Sequence, residues 1–121
     1  MKIKILIPIY NDWRSLFELL KNIDQQISEI DDEVSILVVN DGSNEEKENE
    51  SFEFKNIKSI KIINMKENKG HARCNAAGLK FIFEKEDFDC VIPMDGDGED
   101  RPEEIFDFIN YVKDSNNKII V

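Results

Sequence analysis

Positive charge and cysteine are both scarce in this chain of 121 residues. Lysine and arginine number 16 against 26 aspartates and glutamates, a net charge of −10. That balance opposes any basic face and argues against a nucleic-acid partner. An acidic protein that handles phosphates needs a cation as intermediary, although most of the acid is read as solvated surface. The two cysteines, Cys74 and Cys90, have no metal-ligand spacing and are expected to be reduced, partly buried thiols of a cytosolic protein. The single histidine, His71, falls at a helix start. It is read as structural or exposed, with a phosphate contact as the alternative. No apolar run approaches the roughly 18–20 residues of a transmembrane helix. Met1-Lys2 leads straight into a strand-like segment, so no signal peptide is read there. The expectation is a soluble, cytoplasmic chain. Hydrophobic residues make up 40% of the 121, enough for one domain with a real core and too few for two.

Several short segments carry this core. Residues 2–9 are β-branched and apolar, with Pro8 near the end where a ladder donor can be spared. Asn11 or Asp12 can cap the helix that follows, whose apolar face is Trp13, Leu16, Leu20, Ile23 and Ile27, with Trp13 read as core. Residues 34–39 are a continuous apolar run of the kind found in buried parallel strands. Ser43 with Glu46 matches a capping box, and 45–54 reads as a short exposed helix or ordered loop. Residues 57–63 carry Lys58 and Lys61, the pattern of an edge strand protected by charge. Gly70 opens the next helix, with Ala72, Ala76, Leu79 and Phe83 as its expected buried stripe and Gly78 allowing close packing on the sheet. Residues 89–94 form a fourth strand. Pro102, Glu103 and Glu104 start a helix with Ile105, Phe108, Ile109 and Val112 inward, and 118–121 begin a fifth strand. Such alternation predicts an α/β fold, a mostly parallel sheet with helices on both faces. Ligands in these sheets bind beyond the carboxyl ends of the strands, where strand order reverses. Tyr10-Asn11, Asn40-Asp41 and Asp95-Gly96-Asp97 all fall at such ends.

The last of these clusters has the clearest chemistry. The apolar run through Met94 ends abruptly in Asp95-Gly96-Asp97-Gly98-Glu99-Asp100. Residues two apart in extended backbone point the same way, so Asp95 and Asp97 can present carboxylates to one point. Hard oxygen ligands of that kind suit Mg²⁺ or Mn²⁺, which leave other positions to water and substrate phosphate. Gly96 and Gly98 let the backbone come close to a ligand. A calcium loop of the EF-hand type fits poorly, because Asp100 and Phe106 stand where that pattern wants glycine and glutamate. A phosphohydrolase of the haloacid dehalogenase type also uses an Asp-x-Asp after a strand, but on the first strand, whereas here it follows the fourth. A dinucleotide-binding glycine fingerprint is missing from Pro8-Ile9-Tyr10-Asn11.

Four segments then carry a resemblance. They are Ile7-Pro8-Ile9-Tyr10-Asn11, Val39-Asn40-Asp41-Gly42-Ser43, Asn68-Lys69-Gly70-His71-Ala72-Arg73, and Met94-Asp95-Gly96-Asp97-Gly98-Glu99-Asp100-Arg101-Pro102-Glu103. Together and in this order they resemble family two glycosyltransferases, closest to the branch that includes dolichol-phosphate and polyprenyl-phosphate sugar transferases. The resemblance implies a Rossmann-like GT-A fold. It also implies inverting sugar transfer from a nucleotide-diphosphate donor (UDP or GDP) with Mg²⁺ or Mn²⁺, to a lipid-phosphate or other glycan acceptor. Asp41 then corresponds to the aspartate that contacts the base, and Pro8, Tyr10 and Asn11 line the same pocket. Arg73 corresponds to a basic residue of the nucleotide site. Asp97 is implied as direct metal ligand, and Asp95 as a second member of the metal site, nearer the ribose and the metal's waters. Asp100 aligns with a further acidic position. Asn40 departs from the aspartate often found before Asp41. The family's domain is roughly twice this long, so residues 1–121 are expected to be its nucleotide-sugar-binding part, cut after the fifth strand. The acceptor site and any catalytic base would lie beyond Val121. The full-length protein would work at the inner face of a membrane, and the open sheet edge of the shorter chain invites homodimerisation. A non-catalytic nucleotide-binding fragment is the remaining alternative.

Overall fold

The computed structural model describes residues 1–44, 53–95, 107, 109, 111 and 119–120. In chain order the elements are β1 (Lys2–Ile9), α1 (Trp13–Gln26), β2 (Glu33–Asn40), β3 (Ser59–Asn64), α2 (His71–Lys85), β4 (Cys90–Pro93) and β5 (Ile119–Ile120). The strands form one sheet in the order β3-β2-β1-β4-β5, with every neighbouring pair parallel. This is the α/β architecture that the alternation of segments predicts, and the Rossmann-like fold that the resemblance implies.

Side-chain parity along the strands divides the core in two. Ile3, Ile5, Ile7 and Ile9 of β1, Val34, Ile36 and Val38 of β2, and Cys90 and Ile92 of β4 pack with Trp13, Leu16, Leu19, Leu20 and Ile23 of α1. The opposite parity, Leu6, Leu37, Val39 and Val91, packs with Cys74 and Ile82 of α2 and with Phe88. The two helices therefore cover opposite faces. That follows from right-handed crossovers that run one way from β1 to β3 and back the other way to β4. Each fully buried leucine or isoleucine contributes about 1.5–3 kcal/mol of transfer free energy, so β1 and β2, apolar on both sides, anchor the sheet.

Helix α1 starts where Asp12 accepts a hydrogen bond from the Ser15 backbone N–H at 3.3 Å. It buries the face read from its spacing, with Leu19 added and Ile27 at the carboxyl cap. At the sheet edge, Lys58 pairs with Glu33 at 2.7 Å and Lys61 with Glu86 at 2.7 Å. Those lysines guard β3, which begins at Ser59 rather than Ile57. Both cysteines are free and buried. Ile109 is helical and buried among the α1-side residues. Glu46, most of 45–54, Pro102 to Ile105, Phe108, Val112, Lys118 and Val121 lie outside the described residues.

One expectation fails. In α2, Ala72, Ala76 and Phe83 are exposed, Phe83 by 55%, and the buried residues are Cys74, Gly78 and Ile82. Both sets repeat at helical spacing, so periodicity alone cannot choose the face. Gly78 decides it: a Cβ there would collide with Leu6 and lie 3.1 Å from Val39 Cγ2. The helix backbone sits directly on β1 and β2, which turns Phe83 outward, edge-on to Phe88 at 4.9 Å between ring centroids.

Candidate functional site

The carboxyl ends of β1, β2 and β4 meet where the strand order reverses, and each delivers a polar loop there. In parallel pairing the even residues of β1 turn their backbone groups toward β4: the Lys2 carbonyl accepts from Asp89 N–H at 2.8 Å, and that of Leu6 from Met94 N–H at 2.9 Å. The β1–β4 register ends at Leu6 opposite Pro93. Pro8 is the next residue on that side, and its ring nitrogen bears no hydrogen. It is buried, whereas Tyr10, just beyond, is 41% exposed.

Asn11 takes up a positive φ of 62°, which asparagine tolerates better than most residues. Its N–H donates to Ser43 Oγ at 2.8 Å, its side-chain amide donates to Asn44 Oδ1 at 2.8 Å, and its Oδ1 accepts from the Asn44 N–H at 2.9 Å. The loop after β1 is thus sewn to the loop after β2. Ser43 Oγ, read as half of a capping box, is the acceptor in that seam. Asn40 explains its own departure from aspartate. Its Oδ1 accepts from Ser43 N–H at 3.1 Å while its Nδ2 donates to Asn64 Oδ1 at 3.0 Å, and a carboxylate has no proton for the second bond.

Asp41 is 1% exposed. Its Oδ1 accepts from the Lys69 N–H at 2.7 Å and its Oδ2 from the Gly70 N–H at 3.0 Å. Burial by itself pushes this carboxyl's pKa up. The backbone N–H of Lys69, the Cys74 thiol, the N–H of Gly70 and nearby His71 outweigh it, so the net shift is downward. Its own burial, and then the same contact, drive the Cys74 thiol up to about 12. At neutral pH the native protein should therefore leave Cys74 unmodified by iodoacetamide, with labelling appearing only in denaturant. Asp41 thus grips the turn that leads into α2. Gly42, at φ 69°, lets the β2 loop lie against that same turn, because a Cβ there would fall 2.5 Å from the Glu67 carbonyl carbon.

The start of α2 faces the end of β4. His71 Nδ1 lies 3.9 Å from Asp95 Oδ1, both side chains about half exposed, at 46% and 51%. Arg73 is exposed on the first turn of α2. An open depression of about 240 Å³ is lined by Asn75, Pro93, Met94 and Asp95. Asn75 escaped sequence reasoning, and only its place two residues after Arg73 hinted at it.

Asp41, His71 and Asp95 therefore form one row across the carboxyl edge, with Pro8 near the end of β1 and Tyr10 and Asn11 on the loop that follows it. Asp97 and Asp100 lie outside the described residues. Among the described residues no three His, Cys, Asp or Glu side chains cluster as a metal site. Asp95 nonetheless offers one half-exposed carboxylate of the hard oxygen type that Mg²⁺ and Mn²⁺ accept. No helix among the described residues is long and apolar enough to cross a membrane.

The family model described as Glycosyl transferase family 2 matches residues 4–121. The chain is 31% identical over 104 residues to an undecaprenyl-phosphate 4-deoxy-4-formamido-L-arabinose transferase of Proteus mirabilis, covering 86% of this chain and 31% of that protein. It is 27% identical over 111 residues to an uncharacterised glycosyltransferase of Synechocystis, covering 91% of this chain and 34% of the other. The chain thus spans about a third of the length of these two relatives. Its fold matches the crystal structure of S. aureus TarS 1–349 with a TM-score of 0.69 at 20% identity, covering 94% of this chain and 33% of that one.

Proposed function

The chain belongs to glycosyl transferase family 2, and on that premise we propose that it is the donor-binding part of an enzyme that moves a sugar, with inversion, from a nucleoside diphosphate. A polyprenyl phosphate is the favoured acceptor class, on the likeness to the Proteus mirabilis transferase. The observation that carries the reading is the row of Asp41, the α2 start and Asp95 at the point where strand order reverses, the place where open α/β sheets take ligands.

In this reading Pro8, Tyr10 and Asn11 form one wall of the nucleotide pocket. Asp41 holds the Lys69-Gly70 turn that forms another, and it has lone pairs left for an N–H of the base. Arg73 supplies positive charge near the diphosphate. Asp95 and Asp97 would hold Mg²⁺ or Mn²⁺, which when bound neutralises charge on the departing diphosphate. A phosphate acceptor is already ionised and needs no strong base. The acceptor site is assigned to sequence of the kind that fills the rest of the relatives' length.

Calorimetry with UDP, GDP and their sugars, with and without Mn²⁺, tests this reading. One of the two nucleotides should bind at least about tenfold more tightly with the metal present, and Asp97→Ala should remove that gain. Unchanged metal-dependent binding in the variant would sink the site assignment. Release of inorganic phosphate from the donor would point to a phosphohydrolase instead.

A further inference from the structure

We infer, on the donor-binding reading above, that Asn44 and Asn64 are positioning residues of the nucleotide site. They hold the loop after β1 in its binding geometry through other side chains, and neither belongs to the four family-like segments. The starting point is Asn11, whose φ of 62° is the one positive value outside glycine among the described residues. Asparagine tolerates that region better than most residues but still holds it at a cost. Such a conformation persists only where the surroundings over-determine it, and it recurs at ligand sites.

Two lines of hydrogen bonds converge on Asn11. The first is direct: Asn44 Oδ1 accepts from Asn11 Nδ2 at 2.8 Å, and the Asn44 N–H donates to Asn11 Oδ1 at 2.9 Å. The second comes from the sheet. Asn64 Oδ1 accepts from Asn40 Nδ2 at 3.0 Å, Asn40 Oδ1 accepts from the Ser43 N–H at 3.1 Å, and Ser43 Oγ accepts from the Asn11 N–H at 2.8 Å. Asn40 and Asn64 stand opposite each other at the last rung between β2 and β3. A line of side chains therefore runs from the edge strand across β2 to the loop after β1, and each of its ends is an amide oxygen that accepts.

The bonds made by both terminal asparagines are open to solvent. Water competes for such bonds, so each adds little to overall stability. What they fix is the direction of the loop. Asn11 directly follows the 41% exposed Tyr10, and the two form one wall of the proposed pocket. A wall already in place when the ligand arrives spares the ordering that binding otherwise requires. Asp41 is gripped separately, by the N–H groups of Lys69 and Gly70, so the two supports of the site can be weakened one at a time.

The test compares Asn44→Leu and Asn64→Leu, which remove the accepting oxygen, with Asn44→Asp and Asn64→Asp, which keep it. Circular dichroism confirms folding, NMR follows amide hydrogen exchange, and calorimetry in Mn²⁺ measures binding of UDP and GDP. Asn44→Leu should speed exchange of the Asn11 N–H and weaken the bound nucleotide about fivefold, the factor for one hydrogen bond of ordinary net strength. Asn64→Leu, which reaches Asn11 through two further bonds, should do the same by roughly half that factor. Both aspartate variants should match the wild type, and exchange at Lys69 and Gly70 should be unchanged in all four. Leucine variants that bind nucleotide as the wild type does overturn the inference, even if Asn11 exchanges faster, because the bonds would then only join two loops. Aspartate variants as weak as the leucine ones overturn it too, as does faster exchange at Lys69 and Gly70, which would mean general loosening. A wild type that binds neither UDP nor GDP overturns the donor reading, and that failure appears before any variant is made.

Discussion

Asp41→Ala should lower the unfolding free energy by about 3 kcal/mol, measured by urea denaturation at pH 7. Two backbone N–H groups, those of Lys69 and Gly70, lose a charged acceptor in a site that is 1% exposed. Hydrogen bonds to charged groups contribute about 1.5–3 kcal/mol each, and an unsatisfied buried donor adds its own cost. Asp41→Asn keeps the shape and one acceptor oxygen, so it should cost roughly half as much by the same reasoning. The pH dependence has a definite sign. The folded carboxyl has a pKa below its ordinary 3.8, so the unfolded chain takes up the proton first as pH falls. The contribution of Asp41 is therefore complete well above pH 3.8, shrinks below it, and is gone once pH drops under the folded value. Asp41→Asn should lack this part of the acid sensitivity. An Asn variant as stable as wild type at pH 7 would show that the charge is not what holds the turn.

Gly42→Ala should be comparably severe, at about 3 kcal/mol or more, and should be much worse than Gly70→Ala. Both glycines have positive φ, 69° and 93°, and a side chain at such angles costs on the order of 1–3 kcal/mol. They differ in what surrounds them. A Cβ on Gly42 would sit 2.5 Å from Glu67 C and 2.6 Å from Asn68 N, whereas nothing lies within 4 Å of one on Gly70. The obstacle at Gly42 is backbone and cannot step aside without carrying the 67–70 turn off Asp41. Thermal unfolding of the two alanine variants, side by side, measures the collision separately from the backbone conformation. Equal losses would mean that the two loops do not pack as described. Gly42→Ala should also weaken nucleotide binding, while Gly70→Ala, with its space open, should affect it less.

These residues also show where reading the chain succeeds and where it stops. β1 and β2 were legible because apolar residues on both parities leave no option but a strand covered on two sides, and their order along the chain implies the parallel sheet. Asp95 was legible because a carboxylate directly after a buried strand must lie at a sheet edge. The face of α2 was legible only in part: Gly78 packs on the sheet as read and Leu79 is partly buried, but Ala72, Ala76 and Phe83 face outward. Ala72-Ala76-Leu79-Phe83 and Cys74-Gly78-Ile82 are equally periodic, and only the fit of Gly78 against Leu6 and Val39 selects between them. Asp41 was legible as important, but its grip on Lys69 and Gly70 depends on a loop 28 residues away in sequence. Asn64 carries no local signal, and Asn75 only its place two residues after Arg73. Each matters through one partner or one cavity that exists only after folding.

Pro8 has a consequence for how the crevice stays open. Strands that run side by side tend to keep pairing until the chain turns away, and the groove between β1 and β4 adjoins the proposed nucleotide site. At Pro8, the next residue past their last rung whose backbone turns to β4, β1 has a ring nitrogen where any other residue would carry a proton. One hydrogen bond of the ladder is missing there for a covalent reason rather than a conformational one. Pro8 has no proton to offer β4 at any pH, so a carbonyl is the only backbone hydrogen-bonding group it can turn to that side.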